Sequence, residues 1–300
     1  MFKSLRTMLA FFAIIGALTT NLPVAMAVEQ PFTFSPEKGL TVKVTPVDAT
    51  HVKLHILPSG KVQSVLVTEG NSAPATNVDR RFEAKDFNFD GHADLAVVTS
   101  EGMVNEVYDI FLYRPESQDF TKLEVPKQAG PSCYTLEGVE IRPRERVLQS
   151  SCRSGSVWYT EAYRFDQGGR LYLYSVIRIL NDVVASHLCP GASGRESPEV
   201  IRLRFDQAGN VVAAACRPYE NWKDVSADSR VQLTVGVPTL PLHDAEDDKP
   251  ARRHLIKGDV VEVIDVSEDG GWWLKVLYRN PKRGPLVGWI RADEAGLSQR

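Results

Sequence analysis

The stretch from Leu40 to Val67 decides the fold class. Within it Thr41-Val42-Lys43-Val44-Thr45 and His51-Val52-Lys53-Leu54-His55-Ile56 alternate polar and apolar residues, and Val62, Val65 and Val67 follow among polar neighbours. A period of two places Leu40, Val42 and Val44 on one face of a strand, and Val52, Leu54 and Ile56 on one face of the next. Pro58-Ser59-Gly60 supplies the turn between strands. His51 and His55 lie four apart and therefore share a strand face, but a metal would need further ligands, so they are read as a surface pair.

The same pattern continues along the chain. Strands are predicted at Leu95 to Thr99, Glu106 to Tyr113, Val157 to Phe165, Leu171 to Ile179, Val200 to Phe205 and Val211 to Cys216. Long helical periodicity is absent, and the expected class is mainly β, mostly antiparallel. Two segments, Tyr163-Arg164-Phe165-Asp166-Gln167-Gly168-Gly169 and Leu203-Arg204-Phe205-Asp206-Gln207-Ala208-Gly209, place Asp at the start of a turn and Gly near its end. That spacing suits a hairpin whose last turn residue takes a positive φ.

The amino terminus reads differently. Lys3 and Arg6 precede an apolar run from Met8 to Leu18, a polar break at Thr19 to Asn21, and Ala25-Met26-Ala27. This is the pattern of an export signal cleaved after Ala27. The run is too short for a membrane span of about 20 residues. Removal of residues 1–27 of 300 leaves 273 and shifts the formal charge from −3 to −5. A mildly acidic product has no electrostatic reason to take nucleic acid or an anionic membrane as partner. The expectation is a protein of the bacterial periplasm, with secretion as the alternative.

Cys133, Cys152, Cys189 and Cys216 are even in number and widely spaced, and none forms the C-x-x-C of zinc or redox motifs. In an oxidising compartment they read as two disulfides. Of the three pairings, Cys133 with Cys152 and Cys189 with Cys216 is favoured, because each pair brackets a segment of adjacent strands or a hairpin.

The sharpest chemical signal is Asp86-Phe87-Asn88-Phe89-Asp90-Gly91-His92-Ala93-Asp94, followed directly by the strand Leu95-Ala96-Val97-Val98. Oxygen-bearing side chains at positions one, three, five and nine, with Gly91 at six for the sharp turn, form the donor set of a hard cation such as calcium. His92 would contribute its backbone carbonyl at position seven. An EF-hand requires Glu at position twelve; Val97 stands there, so Asp94 must close the site. The competing reading is a turn whose Asp and Asn side chains cap local amides. The expected role of a bound calcium is structural.

This nine-residue pattern resembles the calcium loops of FG-GAP and integrin-type β repeats, in which D-x-N-x-D-G-x-x-D-L leads into a strand. The order from about Phe82 to Ile179 runs from the loop to Tyr108-Asp109-Ile110-Phe111-Leu112-Tyr113, then Ser151 to Gly155, then Trp158 to Phe165. It resembles a family of bacterial periplasmic β proteins that includes immunity proteins against lysozyme-type effectors. The resemblance implies binding, and inhibition, of a peptidoglycan hydrolase. It assigns no inhibitory residue.

After Cys216 the strand pattern loosens, and Pro238, Pro241 and Asp244 to Asp248 precede a new unit. A boundary is expected near residue 228, dividing a β domain of residues 28–228 from a unit of 229–300. Leu255 to Ile264, Trp272-Trp273-Leu274-Lys275-Val276 and Val287-Gly288-Trp289-Ile290 resemble bacterial SH3-like domains, which implies a small barrel and a docking role, for example on peptidoglycan. Trp272, Trp273 and Trp289 are the candidate ligand surface. Neighbours on a strand point to opposite faces, so only one of Trp272 and Trp273 can line a groove. Lys282 and Arg283 mark a basic hairpin tip. Sequence motifs for nucleophilic or metalloprotease chemistry, such as G-x-S-x-G and H-E-x-x-H, do not occur. A binding protein is expected rather than an enzyme, with a wall-binding or scaffold role as the alternative to inhibition.

Overall fold

Alternation translates directly into layers. In the computed structural model β1 (Phe32–Phe34), β2 (Thr41–Pro46), β3 (His51–Leu57) and β4 (Lys61–Leu66) form an antiparallel sheet in chain order. Val42, Val44, Val52, Leu54, Ile56 and Val65 are buried on its inner face. The described residues are 31–48, 50–68, 81–101, 106–126, 133, 135–154, 157–189, 199–218, 225–247, 249–267, 272–282 and 284–297. The expected export signal, residues 1–27, lies outside them.

The second sheet comprises β5 (Phe82–Lys85), β6 (Asp94–Glu101), β7 (Glu106–Arg114) and β8 (Asp119–Lys122), with β9 (Leu136–Glu137) paired to β7. It is buried on both sides. Leu95, Val97, Phe111 and Tyr113 pack into the core shared with β1–β4, whereas Ala96, Val98, Ile110 and Leu112 face a second and larger core. Two-sided burial explains why β6 and β7 read as continuous apolar runs. Gln63 joins the first two sheets, its side chain donating to the Phe120 carbonyl at 2.7 Å and accepting from the Phe120 amide at 2.8 Å.

A third sheet holds β10 (Glu140–Arg142), β11 (Val147–Ser154), β12 (Val157–Phe165), β13 (Leu171–Ile179), β14 (Glu199–Phe205) and β15 (Val211–Pro218), again in chain order. The β12–β13 and β14–β15 turns are the repeated device expected from sequence. Asp166 accepts from the amides of Gly168 and Arg170, Asp206 from those of Ala208 and Asn210, and Gly169 and Gly209 have φ of 74° and 84°. One short helix, α1 (Asp182–Leu188), follows β13; Asn181 caps it by accepting from the Val184 amide. It buries Val184, Ala185 and Leu188 in two turns, too short a run to show helical periodicity.

The last strands are β16 (Gln232–Thr234), β17 (Thr239–Leu242), β18 (Arg253–Ile256), β19 (Val260–Ser267), β20 (Trp273–Asn280) and β21 (Gly284–Arg291). The barrel expected here is replaced by an open arrangement. β16, β19, β20 and β21 make a four-stranded sheet, and β17 pairs with β18 as a separate ribbon that meets the sheet at the His243–Trp289 bridge. Among the described residues no barrel closes. Pro241, within β17, has no amide hydrogen to donate to a ladder. Gly288 lets the ribbon approach, since a Cβ there would lie 2.7 Å from the His243 carbonyl oxygen.

The residues from Phe32 onward form one compact unit. Across the expected boundary near residue 228 the apolar core is continuous, with Ile201 and Leu203 in the same cluster as Val231, Leu233, Val261 and Val276. Arg178 of β13 also pairs with Asp265 of β19 at 3.2 Å, both largely buried. No helix among the described residues is long and apolar enough to cross a membrane.

The cysteines pair as Cys133–Cys152 and Cys189–Cys216, separated by 19 and 27 residues. The first fastens the approach to β9 onto β11, and the second ties the end of α1 to β15. A non-reducing peptide map is expected to yield these two cross-linked peptides. Full reduction is expected to lower the unfolding free energy by about 2–5 kcal/mol per bond, measured by urea denaturation.

Candidate functional site

The Asp-rich loop occupies the connection between β5 and β6, at the edge of the layer buried on both sides. Phe89 and Gly91 adopt φ of 63° and 93°, which turns the chain sharply. The Asp86 carboxylate accepts from the amides of Asp90 at 3.1 Å and Gly91 at 2.9 Å. Asn88 accepts from the Asp90 amide at 3.1 Å and donates through its side-chain nitrogen to the Asp90 carboxylate at 2.8 Å. Asp90 in turn accepts from the His92 amide at 2.9 Å.

Asp94 is the anchor. Fully buried, it accepts from the Phe87 amide at 2.8 Å and, across the sheet, from the Tyr113 amide at 2.8 Å. The backbone ladder between β6 and β7 reaches only Leu95 opposite Phe111, so the Asp94 side chain takes the Tyr113 amide beyond its end. The His92 ring lies 5.7 Å from that of Tyr113, and its Nδ1 makes no hydrogen bond. Burial pushes the Asp94 carboxyl up to about 7; the amides of Tyr113 and Phe87 oppose this, and the charges of Asp90 and Asp86 add to it.

Sequence reasoning predicts that Asp86, Asn88, Asp90, His92 and Asp94 converge, and all five belong to this one turn. The side-chain oxygens of Asp86, Asn88 and Asp90 serve loop amides, as in the amide-capping reading, and those of Asp94 serve Phe87 and Tyr113; among the described residues no group of three or more His, Cys, Asp or Glu side chains is arranged to hold a metal. The donor types still suit a hard cation. Each carboxylate has about four lone-pair sites, so acceptance from one or two amides leaves capacity for one.

Of the aromatic candidates Trp273 and Trp289 are buried and Trp272 is half-buried. Trp272 packs against the large core. Trp273 and Trp289 lie on the opposite face of the last sheet, 3% and 9% exposed. Trp273 meets the His243 ring edge-on at 5.2 Å and has the Arg291 guanidinium 5.8 Å from its centroid; Lys275 lies 5.4 Å from the centroid of Trp289. His51 bonds Asp48, three residues before it, with an Nδ1–Oδ1 distance of 3.0 Å.

A feature that sequence reasoning missed lies on the six-stranded sheet. A cavity of about 290 Å³ opens over β10–β14, and the described residues that line it include Arg142, Arg164, Arg202 and the carboxylate of Glu145. The available signal was the placement of these arginines at positions alternating with core residues. Arg146, in the same turn as Glu145, has its guanidinium 5.8 Å from the Phe89 ring, so the β10–β11 turn touches both cavity and Asp-rich loop.

Comparison with family models, curated proteins and solved structures returns no match for the chain.

Asp94→Ala strands two buried amides, each costing about 1–3 kcal/mol, and is expected to lower the unfolding free energy by about 2–4 kcal/mol. A folded-state value raised from 3.8 to about 7 means that ionisation of Asp94 opposes folding, so its contribution is full below pH 3.8 and declines as pH rises to about 7. Asp94→Asn is therefore expected to flatten the stability profile across that window, measured by denaturation at a series of pH values.

Proposed function

We propose that this protein is an exported, calcium-stabilised binding protein of the bacterial periplasm whose partner is a peptidoglycan hydrolase that it inhibits. The observation that carries the reading is the anchoring of the Asp86–Asp94 loop. Its oxygen donors are tied through buried Asp94 to β7, the position expected of a structural cation rather than a catalytic one. In this reading Asp86, Asn88, Asp90 and Asp94 hold calcium with the His92 carbonyl, and the ion offsets repulsion among the three carboxylates.

The periplasm supplies the remaining conditions. An oxidising compartment suits Cys133–Cys152 and Cys189–Cys216. Residues 1–27 are the signal that takes the chain there. The residues after about 229 are read as a divergent SH3-like unit that docks the protein in the envelope. The resemblance of residues 82–179 to periplasmic immunity proteins directs the choice of partner.

Millimolar calcium is expected to raise the melting temperature of the mature protein relative to chelator, and Asp90→Ala to abolish the increase. Identical melting of the wild-type protein in both conditions would falsify the calcium assignment. For the partner, the mature protein is expected to suppress sacculus cleavage by at least one enzyme of a lysozyme-type and amidase-type panel and to co-elute with it. Undiminished cleavage throughout, together with pelleting of the protein by sacculi alone, would transfer the assignment to wall binding.

A further inference from the structure

We propose that the cavity on the six-stranded sheet binds a small organic carboxylate. The inference is independent of the calcium loop and of the hydrolase partner. It begins with the two faces of the sheet. Leu148, Tyr163, Leu173, Val176, Ile201 and Leu203 enter the large core. The residues between them project the other way, and the register aligns them: Arg142 opposite Val147, Gln149 opposite Ala162, Thr160 opposite Ile177, and Ile177 opposite Arg202.

An outward sheet face is ordinarily solvated and carries charges of both signs. This one is enclosed. Gln149, Thr160, Ser175 and Arg202 are each no more than 9% exposed, although all four line the cavity. Among the described lining residues three guanidiniums stand with one carboxylate, which favours an anion there, and low-dielectric surroundings strengthen the preference. A second carboxylate, Glu140, stands 3.8 Å from Arg142 at the edge strand and is itself mostly exposed.

Arg164 supplies the most specific observation. Its guanidinium carbon lies 3.6 Å from the centroid of the Tyr174 ring, which fixes the group by stacking. Its Nε is buried and makes no hydrogen bond. A guanidinium so held presents a planar row of donors that matches a carboxylate in the two-bond geometry such pairs adopt.

The remaining walls decide between anions. Val147, Ala162 and Ile177 offer an apolar surface beside the arginines, suited to a short hydrocarbon skeleton and of no use to an inorganic ion. A volume of about 290 Å³ lies just below the range of small-ligand sites, roughly 300–1,000 Å³, and suits a small molecule.

Titration calorimetry of the mature protein at constant chloride ionic strength tests the assignment, with succinate, its neutral analogue succinamide, and inorganic phosphate as probes. Succinate is expected to bind saturably with a dissociation constant below about 1 mM, and both other probes at least about tenfold more weakly. Arg164→Gln is expected to weaken succinate about tenfold or more. Glu145→Gln, at an exposed turn position where folding is undisturbed, is expected to tighten it about twofold or more by removing the opposing charge. No saturable succinate binding, phosphate binding as tight as succinate, or unchanged affinity in Glu145→Gln each overturns the proposal. Should Arg164→Gln fail to fold by circular dichroism, the Glu145→Gln result decides it.

Discussion

The burial of β6 and β7 on both faces is the constraint on which the rest of the structure depends. A strand with one wet face can accept polar residues at every second position, but these strands cannot. Leu95, Val97, Phe111 and Tyr113 fill one core, and Ala96, Val98, Ile110 and Leu112 fill the other. The sheet is therefore the partition between two apolar volumes, and neither outer layer could be repositioned without exposing one of them. The polar groups that enter this layer are held by specific partners. Asp94 accepts from two amides, and Asp109 pairs with Lys122 at 2.8 Å.

That arrangement gives the Asp-rich loop its significance. A turn built from Asp86, Asn88 and Asp90 on a free hairpin could rearrange at little cost, because its bonds are local. Here the ninth residue is inside the protein and bonded across the sheet to Tyr113, so the turn and the central layer are coupled. Any change in the charge of the turn, by proton or cation, acts on the same carboxylate that closes the sheet edge. The loop is accordingly a structural element first.

Both the donor set of the loop and most of the strands were legible from residue types alone, for identifiable reasons. Strands with one buried face advertise themselves by alternation, as Val42, Val44, Leu54 and Ile56 do, and Asp with Gly at fixed spacing identified the turns after Phe165 and Phe205. β11 was harder to read because Gln149, Ser150 and Ser151 interrupt its apolar pattern; Ser150 is buried by bonding the Glu137 backbone, a partner distant in sequence. The C-terminal strands were found but their closure was not. Whether strands end in a barrel depends on which edges meet, and β17 meets β18 and a single bridge.

By itself the sequence determined the β class, most strands, the hairpin turns and the oxygen-rich loop, because each rests on contacts between residues near in the chain or on a period intrinsic to the strand; among three cysteine pairings it favoured the one the structure shows. Only the tertiary structure decided the double burial of the central sheet, the continuity of the core past residue 228, the enclosure of Trp273 and Trp289, and the gathering of Arg142, Arg164 and Arg202 around one cavity. These depend on which faces of separate sheets are covered and by what. Alternation states that a strand has two faces, and long-range packing alone settles which of them meets water.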